Sequence, residues 1–159
     1  MMKTYTVKAS DIKREWHVID ATDQILGKLA TRVATLLSGK HKPMFARNAD
    51  NGDFVVIVNA GKIRFTGDKA SQKMYHSHSQ YPGGLRTVSL QKQLETAPER
   101  VIEHAVKGML PRNKLNARMM KRLRVYTGSD SPYGKAPAAA PAPAAEERQN
   151  AAINGRTLP

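Results

Sequence analysis

Residues 98–126 read PERVIEHAVKGMLPRNKLNARMMKRLRVY, and this stretch joins a helix suited to burial to a helix rich in cations. Pro98 suits a first helical turn, because the N–H that it lacks has no partner there. Apolar residues then recur at the spacing of one helical stripe: Val101, Ile102, Ala105, Val106 and Met109. Pro111 cannot continue the helical hydrogen bonds, so we expect this first helix to end near Leu110.

A second, cationic helix is predicted after Asn113, whose side chain can cap its first turn. Its positive residues, with one just beyond its end, are Lys114, Arg118, Lys121, Arg122 and Arg124. The i, i+3, i+4 spacing places Arg118, Lys121 and Arg122 on one helical face. No acidic residue lies between Lys107 and Arg124. The cations therefore form either a solvated face, where a helix dipole favours positive charge, or a surface that binds a polyanion.

Composition favours the polyanion. The chain has 26 Lys plus Arg against 13 Asp plus Glu and a formal net charge of +13, which makes nucleic acid the leading partner class and an anionic membrane the second. No window approaches the roughly 18 consecutive apolar residues of a membrane helix, and the N-terminus lacks a signal peptide's apolar run, so we expect a soluble, unexported protein. The absence of cysteine fits a reducing compartment and excludes disulfides, thiolate zinc sites and cysteine nucleophiles.

The first half of the chain predicts an α/β fold. A short apolar strand is expected at residues 16–20, and an amphipathic helix follows at 26–37, ended by Gly39. The run FVVIVN at 54–59 shows no polar alternation, which indicates a strand covered on both faces and hence a parallel crossover. Residues 62–66 are another candidate strand. The length of 159 residues fits one domain.

The loop after the first helix contains Lys40 and Lys42. The pair Gly39-Lys40 resembles part of a nucleotide phosphate loop, but no glycine stands five residues before Gly39 and no Ser or Thr follows Lys40. Contact with the backbone phosphates of a nucleic acid is the better interpretation of this basic loop.

Two histidines, His76 and His78, alternate on one face of another predicted strand and could supply half of a metal site. Metal sites need three or four ligands, and no Cys, Asp or Glu occurs between Asp68 and Glu95. We therefore predict a structural or RNA-facing role for these two histidines, with no bound metal and no other cofactor.

A flexible turn is predicted at Pro82-Gly83-Gly84, since glycine has no Cβ and lets a backbone approach a partner closely. A tight surface turn without a function is the alternative. Tyr75 and Tyr81 either stack on bases or pack on the protein's own surface.

Four segments together resemble the bacterial form of the large-subunit ribosomal protein thirteen family: WHVIDATDQILGKLATRVATLLSGK at 16–40, GDFVVIVNAGKIRFTGDK at 52–69, HSQYPGGLR at 78–86 and PERVIEHAVKGMLPRNKLNARMMKRLRVYTG at 98–128. The similarity spans about residues 3–131. It implies a three-layer α/β/α fold around a four-stranded, mostly parallel sheet. It also implies a structural constituent of the large ribosomal subunit, which binds and organises large-subunit ribosomal RNA early in assembly beside neighbouring ribosomal proteins. Neither catalysis nor a small-molecule substrate is implied.

The same resemblance implies an RNA-facing surface, made of Lys69, Lys73, His78, Gly83, Gly84, Arg86, Arg112, Asn113 and Arg118. The basic segments add further candidates, namely Lys40, Lys42, Lys114, Lys121 and Arg122. We expect binding by charge and shape, because folded RNA is recognised mainly through its backbone and 2′-hydroxyl groups.

The C-terminal end departs from the family, which commonly has a His-Pro-His segment where this chain has SDSPYGK. We expect an RNA-binding domain at residues 1–134 and an Ala/Pro-rich tail at 135–159, either disordered or extended along a partner.

Two rival functions remain. A nucleotide-dependent enzyme would share the crossover but lacks a G-x-G-x-x-G or phosphate loop. A free-standing RNA chaperone would use the same basic surface.

Overall fold

The computed structural model describes residues 7–133, in which five strands and five α-helices form. The strands are β1 Trp16–Asp20, β2 Phe54–Val58, β3 Met74–His78, β4 Leu85–Ser89 and β5 Leu123–Val125. The helices are α1 Leu26–Ser38, α2 Lys69–Gln72, α3 Leu90–Thr96, α4 Pro98–Met109 and α5 Lys114–Met120. The predicted tail at 135–159 lies outside the described residues. Within 7–133 no helix is long and apolar enough to cross a membrane.

A parallel sheet with strand order β1-β2-β5 lies at the centre of the fold. Trp16 pairs with Phe54 at one end of the β1–β2 ladder, and β2 pairs in turn with β5. Four consecutive side chains of β2 are fully buried, because strands cover it on both sides and helices pack on the sheet. The predicted parallel crossover and the predicted burial of β2 are confirmed.

Helices α1 and α4 pack together over the sheet. Leu29, Val33 and Leu37 of α1 are buried with Ile102 and Val106 of α4 in one apolar cluster. Each helix presents the stripe that its spacing predicts. The stripe of α4 stops one turn early, however, because its last member, Met109, remains 46% exposed.

Gly39 ends α1 as predicted. It has a φ of +78°, and its N–H donates to the carbonyl oxygens of Leu36 and Thr35. A Cβ at this position would lie 2.9 Å from the carbonyl carbon of Asn51, so a side chain is excluded by contact as well as by conformation. The close approach holds the following basic loop against the body of the protein.

The prediction of a four-stranded sheet is not confirmed, since the parallel sheet of the described residues has three strands. In the candidate strand at 62–66, only Arg64 pairs, through a single parallel bridge to Ile25. A 3-10 turn over Ala60–Lys62 precedes it and Gly67, at a φ of +63°, follows it, so too few extended residues remain for a ladder. Strands β3 and β4 form a separate antiparallel pair.

Candidate nucleic-acid interface

Most of the predicted cations are exposed and form no ion pair with any residue in 7–133: Lys40, Lys69, Lys73, Arg86, Arg112, Lys114, Arg118 and Lys121. Lys69 donates to the hydroxyl of Thr66 at 3.2 Å, a neutral partner that leaves its charge uncompensated. Unpaired surface cations raise the local positive potential and attract polyanions. They can also bind a phosphate without first breaking an internal ion pair.

Arg122 differs from these cations because it is only 6% exposed. Its guanidinium donates to both carboxylate oxygens of Asp50 and, at 3.2 Å, to the carbonyl oxygen of Leu37. The prediction that Arg122 shares an exposed helical face with Arg118 and Lys121 is therefore wrong. Helix α5 ends at Met120, so helical spacing no longer applies at Arg122, where the chain turns inward toward β5.

Lys42 is also engaged within the protein. Its ammonium group pairs with the buried carboxylate of Asp53 and donates to the carbonyl oxygen of Lys13 at 2.6 Å. This cation ties the loop after α1 to the chain before β1. The predicted contact of Lys42 with RNA would break that tie, whereas Lys40 nearby is exposed.

Asp53 is the centre of a polar cluster that the sequence patterns did not identify. Its carboxylate is fully buried at the start of β2. One oxygen, Oδ1, accepts from the N–H of Glu15 at 3.0 Å and from Lys42. The other, Oδ2, lies 3.1 Å from Nε2 of His17 and 2.9 Å from Nε2 of His41. A carboxylate directly before an apolar strand was the available sequence signal, but its partners were not predictable from spacing.

The electrostatics of this cluster stabilise the ionised carboxylate. Burial alone would raise the pKa of Asp53, but hydrogen bonds from Lys42, the Glu15 N–H and His17 outweigh burial and hold the pKa below its ordinary value. The negative charge of Asp53 is therefore paired within the fold, and it does not compensate the exposed cations on the surface.

Two clefts open beside α1 and α4, and Met109 lines both of them. The first cleft has Lys69 and Lys73 on its wall, and the second has Lys40 and Pro111. These three lysines therefore border two clefts on either side of Met109. The structure thus brings together cations that lie far apart in the sequence.

The turn between α4 and α5 begins where the second cleft ends. Asn113 caps α5 as predicted, since its side-chain oxygen accepts from the N–H of Asn116 at 3.2 Å. Arg112, Lys114 and Arg118 are exposed on this turn and helix. The cap gives the side chain of Asn113 a structural role at the start of α5.

The β3–β4 pair is an exposed hairpin, in which Tyr75 is the only residue of β3 that is not exposed. At its tip Gly83 has a φ of +70°, and no atom lies within 4 Å of the position that a Cβ would occupy, so its backbone is open to a partner. A Cβ on Gly84 would instead lie 2.1 Å from Oγ of Ser79, so Gly84 is required by the turn itself. Arg86 is exposed beside this tip.

The two tyrosines have different environments. Tyr75 packs edge-on against His104 at 5.3 Å, and burial raises the pKa of its hydroxyl. Tyr81 is 74% exposed at the hairpin tip. The geometry therefore favours packing on the protein for Tyr75 and leaves the ring of Tyr81 free to stack on a base.

The histidines of the hairpin each have a hydrogen bond of their own. Nδ1 of His76 lies 3.0 Å from the hydroxyl of Thr87, and Nδ1 of His78 accepts from the N–H of Gln80 at 3.0 Å. The second bond leaves Nε2 of His78 as the donor of its neutral ring. His78 is exposed and can present that donor to a phosphate or a 2′-hydroxyl group.

Comparison with known proteins gives one consistent family. The family described as ribosomal protein L13 matches residues 14–132. "Large ribosomal subunit protein uL13" of Herpetosiphon aurantiacus is 56% identical over 132 residues, which cover 83% of this chain and 92% of that protein. The protein of the same name from Dehalococcoides mccartyi strain BAV1 is 60% identical, with the same coverage. That of Salinispora arenicola is 57% identical over 84% of this chain and 90% of its own length.

Proposed function

The chain belongs to the ribosomal protein L13 family, and we infer that it is a structural constituent of the large ribosomal subunit. The match over residues 14–132, which includes every described strand and α-helix, carries this conclusion. The protein is not an enzyme. It is located on the ribosome in the cytoplasm, where large-subunit ribosomal RNA and neighbouring ribosomal proteins are its partners.

We propose that the unpaired cations bind the phosphates of that RNA on three parts of the surface. The first is the pair of clefts with Lys40, Lys69 and Lys73, the second is the turn and helix from Arg112 to Lys121, and the third is the hairpin tip with His78 and Arg86. Support comes from their exposure and from the lack of ion pairs to them within residues 7–133. Each phosphate contact releases counterions from the RNA, which favours binding.

We propose that the hairpin contributes shape recognition. A two-stranded hairpin with little buried surface is marginally stable alone, so a partner that packs on it stabilises it. The open backbone at Gly83 can approach a sugar closely, and the exposed ring of Tyr81 can stack on an unpaired base. Neutralising phosphates where RNA helices converge lowers the free energy of folding them together, which is the expected basis of a role early in assembly.

We retain residues 1–134 as the proposed RNA-binding unit and 135–159 as a separate tail. The described chain supports a body that extends at least to Tyr133, whose ring stacks on Trp16 at 4.6 Å. The alternative of a free-standing RNA chaperone has no specific observation in its favour.

The electrostatic proposal is tested by the salt dependence of binding to large-subunit RNA. If about six to ten phosphates are contacted, the association constant should fall by roughly 10³ to 10⁵ between about 50 and 200 mM monovalent salt. Filter binding measures this directly, and sedimentation of cell extract checks that the protein travels with the large subunit. An association constant nearly independent of salt would refute binding by charge.

A further inference from the structure

We propose that His17, His41 and Asp53 form a binding site for a divalent zinc-class ion, which fastens the loop after α1 to the central sheet. The three residues come from β1, from that loop and from the start of β2. Their potential ligand atoms all lie within 4.8 Å of one another. Two imidazole nitrogens and one carboxylate oxygen are a donor set that zinc accepts in proteins. This proposal departs from the prediction of no bound metal, which considered only His76 and His78.

The distances fit such an ion after a small adjustment. Zinc binds imidazole nitrogen and carboxylate oxygen at about 2.1 Å, so two ligand atoms of a tetrahedral site lie roughly 3.4 Å apart. Oδ2 of Asp53 lies 3.1 Å from Nε2 of His17 and 2.9 Å from Nε2 of His41. Each oxygen–nitrogen pair needs to separate by only a few tenths of an ångström. The two imidazole nitrogens lie within 4.8 Å of each other and need to lie about 3.4 Å apart. Rotation of the two partly exposed rings supplies both adjustments.

The second oxygen of the carboxylate is held as a metal-binding carboxylate requires. Oδ1 accepts from the Glu15 N–H and from Lys42, and this leaves Oδ2 directed at the two imidazoles. Hydrogen bonds to the non-ligating oxygen fix the orientation of a ligand. Lys42 also brings a positive charge close to the site, which weakens the binding of a cation, so we expect moderate rather than very tight affinity.

The site has three protein ligands and a side open to solvent. The side chains of His17 and His41 are 29% and 31% exposed, whereas Asp53 is fully buried beneath them. A water molecule from solvent can complete tetrahedral coordination on that side, as in other zinc sites with three protein ligands. The ion would link segments that are 36 and 12 residues apart in the chain.

A hydrogen-bonded cluster without metal is the competing interpretation. In that case both neutral imidazoles carry their proton on Nε2 and donate it to Oδ2. With an ion bound, Nε2 is the ligand and each neutral ring carries its proton on Nδ1. The two interpretations therefore predict opposite tautomers, which nitrogen-15 NMR of the imidazoles distinguishes.

The test uses the full chain without an affinity tag, treated with a chelator and titrated with zinc chloride in a calorimeter. We expect one ion per chain, a melting temperature that rises with free zinc, and Nδ1–H tautomers at His17 and His41. Replacing either of these two histidines by Gln keeps an N–H donor for Asp53 but removes a good ligand. The substitutions His17→Gln and His41→Gln should therefore weaken zinc binding about 100-fold or more with little change in stability in chelator.

The matched control is the double variant His76→Gln, His78→Gln, which removes two alternate histidines that belong to no three-ligand cluster within residues 7–133. It should bind zinc as the parent chain does. Loss of zinc binding in this control, unchanged binding in both His17→Gln and His41→Gln, or no stoichiometric binding at micromolar zinc would each overturn the proposal. RNA affinity is measured in chelator, where no zinc is bound, so it tests the proposed function separately. Failure of the zinc proposal would leave the proposed function unaffected.

Discussion

Replacing Arg122 by Gln separates the cations that hold the fold from those that we propose to bind RNA. The side chains of Arg122 and Asp50 are 7% and 12% exposed, so the substitution leaves a largely buried carboxylate without its charged partner. Breaking such a pair by removing one member costs about 3–5 kcal/mol. Because Asp50 keeps some exposure and Arg14 lies 3.8 Å away, we expect the lower end of that range. A loss of about 3 kcal/mol lowers the melting temperature of a domain of this size by roughly 10 °C.

The matched control is the double variant Arg118→Gln, Lys121→Gln, which removes two exposed cations from the same region. Each substitution should change stability by no more than about 0.5 kcal/mol, since neither side chain is buried or paired within residues 7–133. If each cation neutralises one phosphate, the slope of log K against log salt should become shallower by about 1.8 in total. We expect the affinity of this variant for large-subunit RNA to fall while its melting temperature is unchanged.

Scanning calorimetry, and filter binding over the same series of salt concentrations, measure the two variants side by side. Arg122→Gln should unfold early yet bind RNA with the parent salt slope while it remains folded. The result that refutes the reasoning is the reverse pattern, in which Arg122→Gln keeps its melting temperature and loses salt-dependent affinity. A further check is Asp50→Leu, Arg122→Leu, which removes both charges and should recover part of the lost stability.

The remaining predictions concern the core, the acid limit of stability and the tail. Val106→Asp places an unpaired charge at a fully buried position and should cost more than about 4 kcal/mol, so a folded monomer by circular dichroism and gel filtration would contradict the helix orientation. The pKa of Asp53 is lower in the folded chain than its ordinary 3.8, so its contribution to stability is present above that pH and is lost as pH falls through the folded pKa. Melting temperatures should therefore drop below about pH 4, and a constant value down to about pH 3 would contradict this. Deletion after Gly134 should leave the melting temperature and RNA affinity unchanged because it retains Tyr133, whereas Tyr133→Ala should lower the melting temperature by loss of the Trp16 stack.

Patterns in the sequence predicted those structural elements that are determined by residues close together in the chain. The apolar run of β2, the stripe of α4 and the cap at Asn113 depend on residues within one or two turns of each other, so spacing alone identified them. The candidate strand at 62–66 was predicted from the same kind of local pattern and is not confirmed. A strand also needs a partner in register, and residues 62–66 make a single bridge.

The features that spacing missed depend on long-range contacts. His17 lies 36 residues before Asp53, and Arg122 lies 72 residues after Asp50. No periodicity links such positions, because the crossover through α1 and the return of β5 to the sheet bring them together. Helical spacing placed Arg122 on the surface only because the predicted helix extended beyond Met120.

The positions of three acidic residues reduce the number of carboxylates that are available to pair with the surface cations. Asp20 accepts hydrogen bonds from Thr22 and Asn59, Asp50 pairs with Arg122, and Asp53 holds the loop through Lys42. Three carboxylates are thus engaged within the fold and do not pair with the cations of α5 and of the two clefts. Those cations repel one another in the free protein, and salt screens both this repulsion and their attraction to phosphate. Added salt should therefore raise the stability of the free chain, because it screens the repulsion among the cations. It should lower the affinity for RNA, because it screens the attraction of the same cations to phosphate.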